Sequence, residues 1–192
     1  MRVSREQVAI NRQKILEAAS RLFRERGYDA VTVAEVMSAA GLTHGGFYGY
    51  FKSKDDLIAQ TLSHVFAQGE VGETDVARYA ARYLSRAHRD NLAGGCPTAA
   101  LGAETVRQTP EARAVMAAGL KKQIERLSAA KAASGDASTA AHARRAAIGS
   151  WSAMVGAVIL ARLIDDPALS NEILDETHAW IDDRDRDSIQ NI

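Results

Sequence analysis

The chain has 192 residues, of which 36 are Ala and three are Pro. That composition favours helix, and no window sustains the β-branched alternation that a sandwich, barrel or propeller needs. An apolar fraction of 46% with 25% charged residues excludes a disordered chain. Formal net charge is zero, yet residues 1–54 carry +4, residues 55–164 carry +3 and residues 165–192 carry −7. A basic head on a neutral chain can approach phosphates.

Cys96 is the single cysteine, so an intrachain disulfide framework and a Cys-rich metal site are excluded. The first twenty residues hold Arg2, Arg5, Arg12 and Lys14 without an apolar core. No secretory signal is expected, and a cytoplasmic protein is. The uncharged run Ala146–Ala161 is short and rich in small residues for a membrane span, and reads better as a buried interface helix.

In chain order, a capping box at Ser4–Gln7 opens a helix with Ile15, Ala18, Ala19, Leu22 and Phe23 on one face, closed by Gly27. A second box, Thr32–Glu35, opens a two-turn helix ended by Gly41. Leu42-Thr43 is a very short connection, and His44–Phe51 makes one or two further turns with Phe47 and Phe51 inward. This is a helix-turn-helix layout. Ser53–Asp56 caps a fourth helix, with Gly69 and Gly72 at its end, and a domain boundary is expected near residue 60, giving parts 1–60 and 61–192.

Beyond it, Thr74 caps a helix whose stripe runs from Val76 through Tyr79 and Tyr83 to Ala87. Asn91–Pro97 is a loop, Thr98–Thr109 a helix, and Pro110 a first helical residue of another that reaches Ala133. A long helix follows over Thr139–Ile164, and Ser170 caps a last one that ends near Ile181. The run Asp182–Asp187 reads as a solvated or disordered tail.

Four motifs occur together: I-L-x-A-A-x-x-L-F over Ile15–Phe23, G-Y-x-x-x-T-V over Gly27–Val33, A-A-G-L-T over Ala39–Thr43, and F-Y-x-Y-F-x-S-K-x-x-L over Phe47–Leu57. In these, about a quarter of the chain, the sequence resembles the DNA-binding domain of the TetR/AcrR family of bacterial transcriptional regulators. The resemblance implies an all-α protein: an amino-terminal three-helix helix-turn-helix domain, then a carboxy-terminal helical ligand-binding and dimerisation domain. It also implies a homodimer that represses from operator DNA and is released by a small-molecule effector.

Apolar Phe23, Val33, Val36, Met37, Phe47 and Phe51 suffice for a small core that fixes the recognition segment. Thr32 and Thr43 sit at helix starts, where a hydroxyl can cap and a phosphate can be met; the resemblance places Thr43 at the DNA face. Tyr48, Tyr50 and Lys54 offer donors to phosphate oxygens, contacts that position without specifying. Base reading falls to His44. Gly45 and Gly46 cost about 1 kcal/mol each against Ala in a helix, and make sense where a DNA backbone or thymine methyl must approach closely.

Two turns read few base pairs, so dimerisation is expected. Its surface is sought on Ile148, Trp151, Val155, Ile159 and Leu163, with Ala147, Ala153 and Gly156 between them, and on Ile173, Leu174, Thr177 and Ile181. Tyr79, Tyr83, Met116, Trp151 and Met154 are candidate effector-lining residues, though core packing is the commoner fate of such side chains.

Cys96, in a G-G-C-P-T loop before a helix start, supports an alternative reading as a redox or electrophile sensor. The stretch Ala93–Glu104 resembles one in a subgroup of TetR-type regulators. Histidines 44, 64, 88, 142 and 178 form no His-x-x-x-His pair, and neither a phosphate loop nor a nucleophile elbow occurs. No enzyme, cofactor or metal site is expected. A nonspecific nucleoid-type binder would need stronger net positive charge.

Overall fold

The computed structural model describes residues 4–68, 76–133 and 139–190, with side chains of the last helix described through Arg184. The described residues are helical, without strands. Helix α1 (Arg5–Arg26) starts at Ser4, whose hydroxyl accepts from Gln7 N at 3.1 Å. It stops at Gly27, where φ is +80° and the cap N–H returns to Phe23 O at 2.8 Å. An L side chain adopts that φ only under strain. Helix α2 (Val33–Ala39) is followed by two turns of 3-10 helix over His44–Gly49, then α3 (Lys54–Gln68). Gly69, Gly72 and Thr74, read as punctuation in the sequence, lie outside the described residues.

Two compact units result. The first contains α1, α2, the 3-10 segment, α3, then α6 (Pro97–Thr105) and α7 (Pro110–Ala133) as far as Gly119. Its core is Ile15, Phe23, Tyr28, Val31, Val36, Met37, Phe47, Phe51, Leu57, Ile58 and Leu62, all buried. Each of the larger side chains among them gains about 1.5–3 kcal/mol over exposure. Phe47 stacks on Phe51 at 5.7 Å, and Phe23 meets Tyr28 edge-on at 5.3 Å. Val33, counted among the core residues from sequence, is only half-buried.

Helix α6 joins this unit through the end of α1. Glu104 Oε2 accepts the Tyr28 backbone N–H at 2.7 Å, Tyr28 Oη and Thr105 Oγ1 lie 3.1 Å apart, and Arg24 Nη1 donates to Gly95 O at 2.8 Å. Burial pushes the Tyr28 phenol up to about 12, so it stays a neutral hydrogen-bonding group.

The second unit contains α4 (Val76–Tyr83), α5 (Arg86–Asp90), α7 from Leu120 onward, α8 (Ala140–Leu163) and α9 (Pro167–Gln190). The expected continuous helix through Ala87 is broken, because Ser85 caps α5 by accepting from His88 N at 3.2 Å. The carbonyls at the break are taken by side chains: Ser85 Oγ donates to Arg82 O at 2.8 Å, and His88 Nδ1 pairs with Tyr83 O at 2.6 Å.

Helix α9 starts earlier than expected, at Pro167. Asp166 is its cap, accepting Ala168 N at 2.9 Å, while the Ser170 hydroxyl is buried and donates to Ala161 O at 2.6 Å. The acidic tail is helical rather than irregular. Pairs four residues apart support it: His178 Nδ1 lies 3.5 Å from Asp182 Oδ2, and the Arg184 guanidinium sits 4.7 Å from the Trp180 ring.

Of the described helices, α8 is long and apolar enough to cross a bilayer by length and composition. One of its faces, with Ala147, Trp151, Met154, Val158 and Ala161, is buried inside the unit. The other leaves Ile148, Ile159, Leu160 and Leu163 exposed, and Leu169 and Trp180 of α9 are exposed as well. The apolar stripe expected from sequence is thus divided. Trp151, Ala147, Leu174 and Ile181 serve the core of one chain, Ile148, Ile159 and Leu163 are left on the surface, and Ala153, Val155, Gly156, Ile173 and Thr177 are half-buried between them.

Candidate nucleic-acid interface

The turn between α2 and the 3-10 segment is fixed by Gly41, with φ +72°, and by Leu42 N donating to Met37 O at 2.9 Å. Phe47 anchors the 3-10 segment into the core, while Thr43, His44, Gly45, Tyr48 and Gly49 are exposed on one short stretch. Tyr48 is 75% exposed, the highest value among the large hydrophobic and aromatic side chains described. Its ring meets Phe47 edge-on at 5.3 Å and is otherwise turned to solvent, where the phenol is open to a partner.

The glycines carry the same message. A Cβ built on Gly45 meets nothing within 4 Å, and one on Gly46 meets only Met37, Thr43 and Tyr50 atoms at ordinary distances of 3.8 to 3.9 Å. Neither has a positive φ. Nothing inside the chain requires glycine at these two positions.

The threonines separate. Thr32 is consumed locally: its hydroxyl accepts Glu35 N at 3.2 Å and donates to Glu35 Oε2 at 2.8 Å, and its backbone N–H reaches the same carboxylate at 2.8 Å. These bonds from Thr32, with the Arg26 guanidinium 2.9 Å away, hold the Glu35 carboxyl at about 2. A carboxylate so placed competes with any phosphate for the Thr32 proton. Thr43 makes no such capping bond, and its hydroxyl stays exposed at the start of the 3-10 segment.

Lys54 opens α3 behind a third cap. Ser53 Oγ accepts Asp56 N at 3.1 Å and Asp56 Oδ2 accepts Lys52 N at 2.9 Å. Burial would raise the Asp56 carboxyl, but the Lys52 N–H, Gln60 and the charges of Lys52 and Arg12 outweigh it and leave it below its ordinary value. Lys52 is exposed on the same turn, a cation that the spacing argument passed over. Tyr50 is half-buried, and its hydroxyl accepts Asn11 Nδ2 at 2.9 Å. Asn11 also escaped notice in the sequence, since it lies 39 residues away on α1.

The candidate effector-lining residues fall in different units. Tyr79, Tyr83 and Trp151 come together in the second, with ring centroids 5.8, 6.2 and 5.2 Å apart, and Arg126 lies 4.7 Å over the Tyr79 ring. Met154 is fully buried in the same unit. Cys96 and Met116 belong to the first unit. Cys96 is the half-buried N-cap residue of α6, and Met116 Sδ sits 3.9 Å from Thr98 Oγ1. Arg24, beside Cys96, has its guanidinium lowered by burial and partly restored by the thiol's proximity.

A helix-turn-helix presenting a rigid, glycine-containing 3-10 segment defines a DNA-binding regulator, and the comparisons agree. Residues 15–61 match the family model for bacterial regulatory proteins of the tetR family, and residues 72–176 match the tetracyclin repressor-like C-terminal domain. The chain belongs to the TetR family of bacterial DNA-binding transcriptional regulators.

Among curated relatives, it is similar to the HTH-type transcriptional regulator AcrR of Shigella flexneri, 32% identical over 82 residues that cover 43% of this chain and 37% of that protein. It is also similar to the HTH-type transcriptional repressor KstR2 of Mycolicibacterium smegmatis, 36% identical over 56 residues, covering 29% and 27%. The chain thus matches about a third of the length of these relatives. Among solved structures, reduced Escherichia coli NemR superposes with a TM-score of 0.74 at 22% identity, covering 89% of this chain and 94% of that one. Bacillus subtilis FadR, solved with stearoyl-CoA, superposes with a TM-score of 0.59 at 23% identity, covering 86% and 96%. Both show a shared all-helical fold.

Proposed function

We propose that the protein is a cytoplasmic, homodimeric repressor whose residues up to about 60 bind a partly palindromic operator and whose later helices bind a small molecule that releases it. The observation that carries this reading is the 3-10 segment: Phe47 and Phe51 are buried beneath it, His44 and Gly45 are exposed upon it with open space where a Gly45 Cβ would stand, and Tyr48 sets its ring edge on Phe47 while most of its surface faces solvent. His44 reads a base edge. Gly45 and Gly46 let the duplex come close, and Thr43, Tyr48, Tyr50 and Lys54 take phosphates. Thr32 contributes its cap rather than a direct contact.

The exposed apolar side chains of α8 and α9 supply the dimer contact, which places two recognition segments on successive turns of the duplex. In the second unit, Tyr79 is the aromatic of its cluster left half-exposed, so an effector meets that ring first. Effector and operator act against each other: a tenfold loss of operator affinity needs about 1.4 kcal/mol of differential effector binding, and operator weakens effector by the same factor.

Footprinting on the DNA flanking the protein's own gene tests the proposal. A protected site with two related halves is expected, and its absence at low salt with purified dimer would overturn the reading.

A further inference from the structure

On α1, Gln7 Nε2 donates to Asn11 Oδ1 at 2.9 Å, and Asn11 Nδ2 donates to Tyr50 Oη at 2.9 Å. The amide of Asn11 is thereby oriented at both ends. With its oxygen occupied by Gln7, its nitrogen is the atom that faces the phenol. A hydroxyl that accepts a hydrogen bond turns its own proton away from the donor and gives it up more readily, because successive hydrogen bonds polarise one another. The relay from Gln7 through Asn11 therefore leaves the Tyr50 O–H with one remaining task, which is to donate. Tyr50 lies between the exposed 3-10 segment and the Lys52-Ser53-Lys54 turn, and a phosphate oxygen is the acceptor that surface would meet.

We infer that Asn11 is a positioning residue for DNA binding, holding Tyr50 as a proton donor to a backbone phosphate without touching the duplex itself. The inference rests on the reading above in which Tyr50 meets a phosphate, and it extends the interface functionally to α1. Asn11 is half-buried on a helix of 22 residues, so replacing it does not open the core.

The test is a double-mutant cycle on the full-length protein with a duplex selected by the wild type from a random pool. Its members are Tyr50→Phe, Asn11→Ala, Asn11→Asp and the two doubles. Tyr50→Phe is expected to lower affinity about tenfold, the scale of a hydrogen bond to a charged group. Asn11→Ala is expected to lower it about threefold with Tyr50 present, and not at all once the Tyr50→Phe change has removed the hydroxyl. Asn11→Asp captures the phenol proton, so its loss exceeds that of the same change combined with Tyr50→Phe, where only charge repulsion remains. Single methylphosphonate substitutions along the duplex add a readout that a merely structural residue would not move. The phosphate whose neutralisation makes Tyr50→Phe silent is expected to make Asn11→Ala silent too.

Equal effects of the Asn11 changes in both backgrounds overturn the positioning role while leaving Tyr50 at a phosphate. A Tyr50→Phe protein that binds as well as wild type, at unchanged melting temperature, overturns the phosphate contact and the inference with it.

Discussion

Glu104 and Gly27 exclude one another's larger forms: a Cβ on Gly27 would stand 2.5 Å from Glu104 Oε1, while the same carboxylate takes the N–H of Tyr28 next in the chain. Gly27→Ala is therefore opposed twice, by a φ of +80° and by the carboxylate. It should destabilise the protein by about 1–3 kcal/mol. Glu104→Gln, which keeps an acceptor for Tyr28 N, should cost less than Glu104→Ala in the same denaturation series, and the reverse order would contradict the bond's role.

A second close approach sits between α3 and α7, where a Cβ on Gly119 would lie 2.5 Å from the Phe66 ring. Gly119→Ala should lower the melting temperature by several degrees despite its higher helix propensity, as overpacking costs about 1–3 kcal/mol. Combining it with Phe66→Leu should recover part of the loss, and additive losses in the double variant would argue against the contact.

At Gly45 the sign reverses. Its Cβ has open space, so Gly45→Ala should fold with stability equal to or above wild type while binding operator more weakly. Melting curves beside gel-shift titrations separate the two, and unchanged binding would remove the reason offered for the glycine.

Charge and base reading should separate in a salt series. Lys54→Ala is expected to weaken binding to all duplexes alike and to reduce the slope of log affinity against log salt by about one. His44→Ala should change the ranking of operator variants. Should the two variants behave identically, their assigned roles collapse into one.

Glu35 makes the stability of α2 depend on acid. Its carboxyl is held at about 2 against an ordinary 4.5, so the contribution is complete above about 4.5 and disappears as pH falls through about 2. The difference in urea midpoint between wild type and Glu35→Ala should shrink across that window. A difference that stays constant from about pH 5 to about pH 2 would mean the carboxylate form is not what supports the cap.

Local chemistry made the first three helices legible. Ser4, Thr32 and Ser53 announce their caps within three residues of the N–H groups they accept from, and Gly27 and Gly41 have the positive φ that helix-ending glycines supply. What stayed hidden spans distance. The pairing of Asn11 with Tyr50 and of Glu104 with Tyr28 joins residues 39 and 76 positions apart, and neither periodicity nor composition records such a bond. The break at Ser85 was masked by an apolar stripe that continues across it. The helical tail was masked by its charge, since an acidic run reads as solvated whether or not its backbone is helical. Of the five candidate lining residues, Tyr79, Tyr83 and Trp151 meet because spacing on α4 and α8 gave each an inward face, whereas the spacing said nothing of which unit would claim Met116 or the candidate sensor Cys96.

Helix α5 is five residues long, too short to persist by its own hydrogen bonds. Its last carbonyls, His88 O and Arg89 O, are held by the Arg162 guanidinium of α8 at 3.1 and 2.9 Å, and Arg89 reaches Ser170 and Asn171 of α9 at 2.9 Å each. Such a segment has no separate melting of its own. Its last turn opens when the arginine lets go of those carbonyls, which makes α5 a reporter of motion in the two long helices. Deuterium uptake there should slow whenever a ligand or a second subunit quiets α8 and α9, even one that never touches α5.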